Sequence, residues 1–318
     1  MLNELQALCR EYLFEDKYLV GPSFLAGYEV CQALARRAGS VVNLRPTTVQ
    51  GIAQGIAALE MARKQMTFLN ANLAQQVVEG LIQELDGEGR LHYFRRRHLR
   101  PGLVNAICSA IFEVRSCGLT AADLSRDMFA AADKGDEFIA LLKAYEDYLA
   151  YHSLIDGPGL VKLAVNIIKK GSSSRIYIIP GFLELSPLEK QLFQGLGGGP
   201  GRVFFLSPLP AKLTGSPSCD CELLAWINQE DCPPPFNDGT VEMFHAYGLT
   251  NEVREVLRRI HRDGIPLDQV TVAVPSDEYR GAFLNLSREL GFGITIMEGI
   301  PAALTRPGRA LQGLVNWV

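Results

Sequence analysis

Hydrophobic positions near the start of the chain follow two different spacings. Short apolar runs at Tyr18–Val20 and Val41–Leu44 predict two strands. Between them, apolar residues recur at helical spacing from position 24 to position 38, and Gly39 ends the predicted helix. A strand–helix–strand unit this short is typical of a parallel sheet with a right-handed crossover.

The chain between Met66 and Ile155 shows helical spacing alone, and we expect no strand there. Its apolar residues recur at helical spacing in three stretches, Leu73–Leu85, Val104–Val114 and Phe138–Tyr151. A helical insertion of this length can pack its own core. We therefore predict an all-helical insertion over residues 66–155, placed inside an α/β frame.

Two further apolar runs continue the predicted sheet after the insertion. Ile176–Ile179 and Val203–Leu206 are almost entirely apolar, as expected of parallel strands covered on both faces. Between them, Ser186 and Glu189 form a capping box, and Pro187 occupies the first helical position. This is the most secure helix start in the sequence.

A proline-rich stretch then divides the chain. Six of the 17 prolines fall between positions 208 and 235, and such clusters mark loops and boundaries. Beyond it, three strands and two helices are predicted to alternate: Val241–His245, Asn251–Arg262, Val270–Val274, Asp277–Leu290 and Ile294–Met297. We assign residues 1–65 and 156–240 to a first domain, 66–155 to its insertion, and 241–318 to a partial second domain of a longer polypeptide.

Composition narrows the class of protein. The 318 residues include 31 basic and 35 acidic side chains, for a net charge of −4, and 47% are hydrophobic. These values exclude a disordered chain and a nucleic-acid coat held by bulk charge. No run is apolar enough to span a membrane, and no secretion signal is expected at the start. Seven scattered cysteines predict a cytoplasmic protein rather than a disulfide framework.

A cationic cluster inside the predicted insertion is the strongest positive feature. No acid occurs between Gly89 and Phe112, and two aromatic residues interleave with the charges. Arginines can neutralise phosphates, while aromatic faces stack on bases or support the arginines, so this pattern predicts a DNA-binding site. The alternative is a solvated surface paired with acids such as Asp86 and Glu88. The candidate DNA-binding residues are Tyr93, Phe94, Arg95, Arg96, Arg97 and Arg100.

A weaker candidate for DNA contact follows the second predicted strand. Arg45, Thr47 and Thr48 lie at the end of this β-strand, where a loop could contact a strand of DNA. The two threonines are equally suited to cap the next helix, which is predicted to run to about Lys64.

The order of these parts resembles a known family. It resembles the superfamily-1 helicases, and more closely the N-terminal helicase-like half of the AddB/RexB-type subunit of bacterial ATP-dependent helicase–nucleases. The stretches that carry the resemblance are 21–27, 44–48, 93–102, 145–156, 178–193, 248–260 and 270–283. They are diffuse patterns spread over most of the chain.

This resemblance implies a fold and a role. The fold would be a P-loop NTPase (RecA-like) parallel sheet interrupted by the helical insertion, followed by the start of a second RecA-like unit. The role would be DNA binding in double-strand break repair and recombination, beside a helicase–nuclease partner subunit. The family's PD-(D/E)XK nuclease and iron–sulfur cysteines match nothing here, so both would lie beyond residue 318.

The expected nucleotide site is degenerate. A phosphate-binding loop requires a lysine and a hydroxyl after its glycines, and the turn containing Gly21 and Gly27 has neither. The strand Ile176–Ile179 is followed by Pro180, where a helicase needs Asp-Glu; the nearest acid is Glu184. We therefore expect no ATP hydrolysis, and leave open whether ATP binds without hydrolysis.

Two rival functions remain open. One is an atypical nucleotide- or nucleotide-sugar-binding protein that uses the turn at Gly21–Gly27. The other is an interaction scaffold whose arginine cluster docks a protein partner. Cys219, Cys221 and Cys232 lack a fourth ligand for a metal site, and we predict no catalytic residues in the chain.

Overall fold

The computed structural model describes residues 1–94, 101–168, 175–198, 202–207, 217–224, 232–297 and 299–317. The chain forms two compact units, Met1–Ala211 and Lys212–Val318. Their division falls within the proline-rich stretch 208–235.

The described residues of the first unit contain two parallel sheets. Its strands are β1 Lys17–Val20, β2 Leu44–Thr47, β3 Thr67–Phe68, β4 Leu154–Ile155, β5 Ile176–Ile179 and β6 Arg202–Phe205. The larger sheet has four strands in the order β2-β1-β5-β6, all parallel. The smaller sheet is the parallel pair of β3 and β4. The predicted α/β class with a parallel sheet is confirmed.

In its described residues, the first unit has eight α-helices around these strands. They are α1 Leu2–Glu11, α2 Phe24–Ala38, α3 Val49–Arg63, α4 Ala71–Gly87, α5 Pro101–Ser116, α6 Ala132–Tyr151, α7 Gly157–Ile168 and α8 Pro187–Gly197. The predicted capping box is confirmed at α8, where the Ser186 side chain accepts the N–H of Glu189 and the Glu189 side chain accepts the N–H of Ser186.

Alternating side chains of the larger sheet feed two cores. On one face, Val20, Tyr177 and Ile179 pack with α3, α7 and α8. On the other face, Leu19 and Ile178 pack with α1 and α2. Every side chain of β5 is buried, as its unbroken apolar run predicts. Because both faces of the larger sheet are buried, the sheet is a rigid support for the candidate sites at its edges.

The helical block, α4 to α6 with the loops between them, has its own core. Val78, Ile82, Ile111 and Leu142 are among its fully buried side chains. The expectation that no strand lies between Met66 and Ile155 is wrong at its two ends, where β3 and β4 pair. Two-residue strands are too short to show a period of two in a sequence.

The second strand lies three residues later than predicted. The prediction was Val41–Leu44, and β2 is Leu44–Thr47. Pairing with β1 sets this register, with Lys17 opposite Leu44 and Val20 opposite Thr47. Pro46 disfavours a strand in the sequence, but β2 is at the edge of the sheet, where a proline removes no hydrogen bond that a neighbour requires.

The second unit is helical in the described residues. Its helices are α9 Asp220–Leu223, α10 Leu249–Arg262, α11 Asp277–Leu290 and α12 Arg306–Trp317. Helix α11 has its predicted range, whereas α10 begins two residues before its predicted start at Asn251. The two helices pack through Val253, Leu257, Phe283 and Leu286. None of the helices in the described part of the chain is long and apolar enough to cross a membrane.

The three strands predicted for the second unit do not form in the described residues. The segments 241–245, 270–274 and 294–297 pair with no neighbouring strand there, and Val272 and Ile294 are exposed. A strand is stabilised by hydrogen bonds to a neighbour and by burial of alternate side chains. These apolar runs obtain neither in the described residues.

Candidate functional site

The carboxyl edge of the larger sheet, where its four strands end, contains a cavity. From β1 the chain crosses to β2 on one side, and from β5 it crosses to β6 on the other. The strand order therefore reverses between β1 and β5, and ligands of such sheets bind at this switch point. A cavity of about 310 Å³ lies there, and its lining includes Gly21, Pro22, Thr48, Gln50, Glu184 and Glu189.

The turn from β1 to α2 is shorter than a loop that cradles a triphosphate. It consists of Gly21, Pro22 and Ser23. The N–H of Gly21 donates to the carbonyl of Thr47 at 2.8 Å, and proline has no N–H. The hydroxyl of Ser23 accepts the N–H of Ala26 at 3.1 Å, so it caps α2. A phosphate cradle needs successive free N–H groups, and neither Gly21 nor Pro22 supplies one.

Gly27 has a packing role in this structure. It is buried on α2, and a Cβ atom at this position would lie 3.0 Å from the Cβ of Pro46 on β2. The glycine therefore allows helix and strand to approach closely. This contact accounts for Gly27 without any ligand.

The charge of the cavity is also wrong for phosphate. Its acids are Glu184, which is exposed, and Glu189, one oxygen of which serves the capping box. Among the described residues that line it there is no lysine or arginine. The residues present therefore do not fit ATP. Within the described parts of the chain, no group of three or more His, Cys, Asp or Glu could hold a metal ion.

Arg45, Thr47 and Thr48 do not converge on one site. The guanidinium of Arg45 is 60% exposed and lies 3.5 Å from the carboxylate of Asp16, which precedes β1. The hydroxyl of Thr48 accepts the N–H of Gly51 at 3.1 Å and caps α3. Thr47 donates its hydroxyl to the carbonyl of Thr48 at 3.4 Å. The threonines therefore serve the start of the helix.

The arginine segment, residues 95–100, is anchored at its start by a buried carboxylate. Arg95, Arg96, Arg97 and Arg100 lie outside the described residues. Glu137, on α6, is 6% exposed. It accepts the backbone N–H groups of the three residues before the segment, at 2.5 Å from His92, 2.6 Å from Tyr93 and 3.0 Å from Phe94. Bonds to an ionised carboxylate are about twice as strong as neutral ones.

The two aromatic candidates differ in exposure. Phe94 is 3% exposed and belongs to the core of the helical block, so the expectation that it stacks on a base does not fit its position. Tyr93 is half-buried and meets Phe94 edge to face, with ring centroids 5.4 Å apart. Phe94 thus ties the chain to the core immediately before Arg95.

A buried ion pair joins the helical block to the sheet frame. Arg115, near the end of α5, donates to Asp156 at 2.8 and 2.9 Å and to Glu146 at 3.1 Å. Asp156 precedes α7, is fully buried, and also accepts the N–H of Gly159 and the hydroxyl of Tyr145. The interaction fixes the block on the frame.

Burial and charge act on the pKa values of this network. Burial alone would lower the pKa of Arg115, but its bonds to Asp156 and the charges of Asp156 and Glu146 hold that pKa above its ordinary value. Burial, reinforced by the charge of Asp156, raises the pKa of the Tyr145 hydroxyl. Both groups therefore keep their protons, and the network is structural.

Sequence reasoning missed Glu137 and Arg115. Each acts on residues more than 40 positions away, and a single sequence carries no signal for such contacts. A single acid facing an acid-free stretch is not distinctive among 35 acids.

No protein-family model matches the chain. No curated protein matches it significantly either.

Proposed function

We propose that this chain is the helicase-like, DNA-binding part of a helicase–nuclease subunit, without ATPase activity of its own. In this proposal the first unit is a RecA-like domain and the helical block is its insertion. The four-stranded parallel sheet and the block between β2 and β5 support that assignment. Sheets of this kind occur in many families, so the fold alone does not identify the function. The functional assignment depends on the residues around the arginine segment.

One observation carries the proposal: Glu137 fixes the backbone directly before the arginine segment. On the other side of the segment, α5 begins at Pro101 and its side chains Val104 and Ile107 are buried in the block. The residues flanking the segment on both sides are thus attached to one core. Four arginines within six positions then give a high density of positive charge on a fixed support, which suits contact with DNA phosphates.

The proposed mechanism is binding rather than chemistry. Among its described lining residues, the cavity at the carboxyl edge lacks the lysine that ATP hydrolysis requires, so this chain would not move DNA by itself. A partner subunit with a motor would drive a strand past the helical block, where the arginines hold or scan it. The setting would be cytoplasmic end processing of double-strand breaks, as the family resemblance implies.

Fluorescence anisotropy tests the proposal. Labelled blunt and tailed duplexes are titrated with the chain at two salt concentrations, beside a variant carrying Arg95→Ala, Arg96→Ala and Arg97→Ala. The matched control removes three exposed arginines of the second unit, Arg288, Arg306 and Arg309. We expect salt-sensitive binding that weakens in the first variant and not in the control. Equal binding by both variants would discard the arginine segment as the site.

A second candidate is a binding protein for a small ligand at the carboxyl edge. The cavity of about 310 Å³ at the switch point favours it. Thermal unfolding with and without ATP or ADP separates the two functions. The DNA-binding proposal predicts no rise in melting temperature, whereas a rise that grows with nucleotide concentration would favour the second candidate.

A further inference from the structure

Arginines gather at the edge where the four strands of the larger sheet begin, which we call the amino edge. Arg45 is the second residue of β2, Arg175 directly precedes β5, and Arg202 is the first residue of β6. The N–H of Arg202 donates to the carbonyl of Arg175 at 3.2 Å, so these two are neighbours. Helices α1 and α2 each lead into a strand at this edge, and their last turns add Arg10, Arg36 and Arg37. All six arginines are exposed.

Two tyrosines orient the guanidinium groups. The Arg175 guanidinium lies over the ring of Tyr18, 5.4 Å from its centroid, and that of Arg202 lies over Tyr12 at 4.8 Å. Such contacts hold the flat guanidinium against an aromatic face. An oriented guanidinium loses less side-chain freedom when it binds two oxygens of one phosphate.

A buried lysine fixes the loop that carries one of these tyrosines. Lys17 is fully buried. Its ammonium donates to the carbonyls of Glu15 at 2.8 Å and Leu13 at 3.4 Å, and to that of Tyr12. The loop between α1 and β1 therefore closes around one charge, and the ring of Tyr12 beneath Arg202 has a fixed support.

The two edges of the sheet carry opposite charge. The segments that meet at this edge, residues 10–17 and 36–45 with positions 175 and 202, contain three acids, Glu11, Glu15 and Asp16. The six arginines outnumber these acids, so the amino edge is positive. The cavity at the carboxyl edge carries Glu184 and Glu189 and no cation among its described lining residues. A polyanion is therefore attracted to the amino edge and repelled from the carboxyl edge.

We propose that the amino edge binds the phosphate backbone of a nucleic acid strand, without reading its sequence. Strands lie about 4.8 Å apart, so the row from β2 to β6 is about 14 Å long. A duplex strand rises about 3.4 Å along its axis per phosphate, so about four phosphates of one strand fall within the length of this row. Arg175, over Tyr18, lies toward the face covered by α3, α7 and α8, and Arg202, over Tyr12, lies toward the face covered by α1 and α2. Arginines spread along the edge from both faces match a linear polyanion better than they match scattered carboxylates of a protein. The inference rests on the proposed DNA binding, but its site is separate from the arginine segment.

The test is the salt dependence of DNA binding, measured by anisotropy with a labelled duplex on four proteins. These are the wild type, the amino-edge variant R45Q/R175Q/R202Q, the segment variant R95A/R96A/R97A, and the control R288Q/R306Q/R309Q. The amino-edge variant should lower the slope of log K against log salt by about 3, one unit per arginine. The control should keep the wild-type slope. A second variant, Arg202→Lys, should keep the slope and lose affinity, because lysine keeps the charge without the oriented fork.

The outcomes separate this inference from the proposed function. An amino-edge variant with the slope of the control overturns the inference, whatever the segment variant does. A slope lowered by the amino-edge variant and unchanged by the segment variant supports the inference and overturns the segment as a site. Labelled poly-glutamate is the second probe. Loss of poly-glutamate binding with unchanged DNA binding in the amino-edge variant would assign the surface to an acidic protein and overturn the inference.

Discussion

The carboxylate of Asp156 holds Arg115 through two hydrogen bonds, 2.8 Å to Nε and 2.9 Å to Nη2. Asp156 belongs to the sheet frame, and Arg115 belongs to the helical block. Because Asp156 is fully buried and the Arg115 side chain is only 14% exposed, water does not replace either partner. The position of the block, and with it the start of the arginine segment, depends on this pair.

Replacing Asp156 by asparagine should destabilise the first unit by about 3–5 kcal/mol, because it leaves a buried guanidinium without its main counter-charge. The measurement is denaturant unfolding. The control is Asp136→Asn, which removes the exposed pair with Arg126 and should change stability by less than about 0.5 kcal/mol. Equal effects of the two substitutions would show that Asp156 does not hold the block.

Replacing Glu137 by alanine should release the backbone of residues 92–94. Three N–H groups lose their acceptor, and each unsatisfied buried group costs about 1–3 kcal/mol unless water reaches it. We therefore expect faster hydrogen exchange at these three amides than in the wild type, with α6 still protected. Glu137→Gln keeps one acceptor oxygen and should give an intermediate rate. Unchanged exchange in both variants would contradict the anchor.

Gly27→Ala and Gly55→Ala should change stability in opposite directions. At Gly27 a Cβ would meet Pro46 at 3.0 Å, whereas at Gly55 on α3 it would meet nothing within 4 Å. The first substitution should cost about 1–3 kcal/mol through overpacking. The second should add up to about 1 kcal/mol through helix propensity. Thermal unfolding of the two variants checks the signs, and a stabilising Gly27→Ala would contradict the packing role.

The Cys31 thiol should make stability fall at alkaline pH. Burial, with a smaller effect of Cys9, raises the pKa of Cys31 from 9.0 to about 11. As pH rises, the thiol loses its proton in the unfolded chain before it does so in the folded chain. Its contribution to the free energy of unfolding is therefore full below pH 9 and decreases between pH 9 and 11. The free energy of unfolding should fall less over this range in Cys31→Ala than in the wild type. The exposed Cys117 supplies the control, since Cys117→Ala should leave the fall unchanged.

Local signals in the sequence predicted the local structure well. The Ser186–Glu189 capping box and the fully buried strand β5 both form as predicted, because their causes lie within a few neighbouring residues. The register of β2 does not, because pairing with β1 decides it and Pro46 obscures it. The three strands of the second unit show the same limit, since an apolar run becomes a strand only beside a partner.

The candidate site was predictable only in part. The arginine segment is visible as a charge pattern, and the lack of a phosphate-binding lysine is visible at the turn after β1. The anchor Glu137 and the arginines over Tyr12 and Tyr18 depend on contacts between distant segments. Only the fold brings these residues into contact, so the spacing of residues along the sequence does not identify the contacts.

Hydrogen–deuterium exchange with and without a tailed duplex, in the absence of nucleotide, shows which part of the chain contacts DNA. We expect slower exchange in peptides that span residues 90–105, and no change in peptides that span the turns 21–29 and 180–189 at the carboxyl edge. Protection confined to the carboxyl-edge turns, or no protection anywhere at a saturating DNA concentration, would contradict a DNA-binding helical block on a frame without ATPase activity.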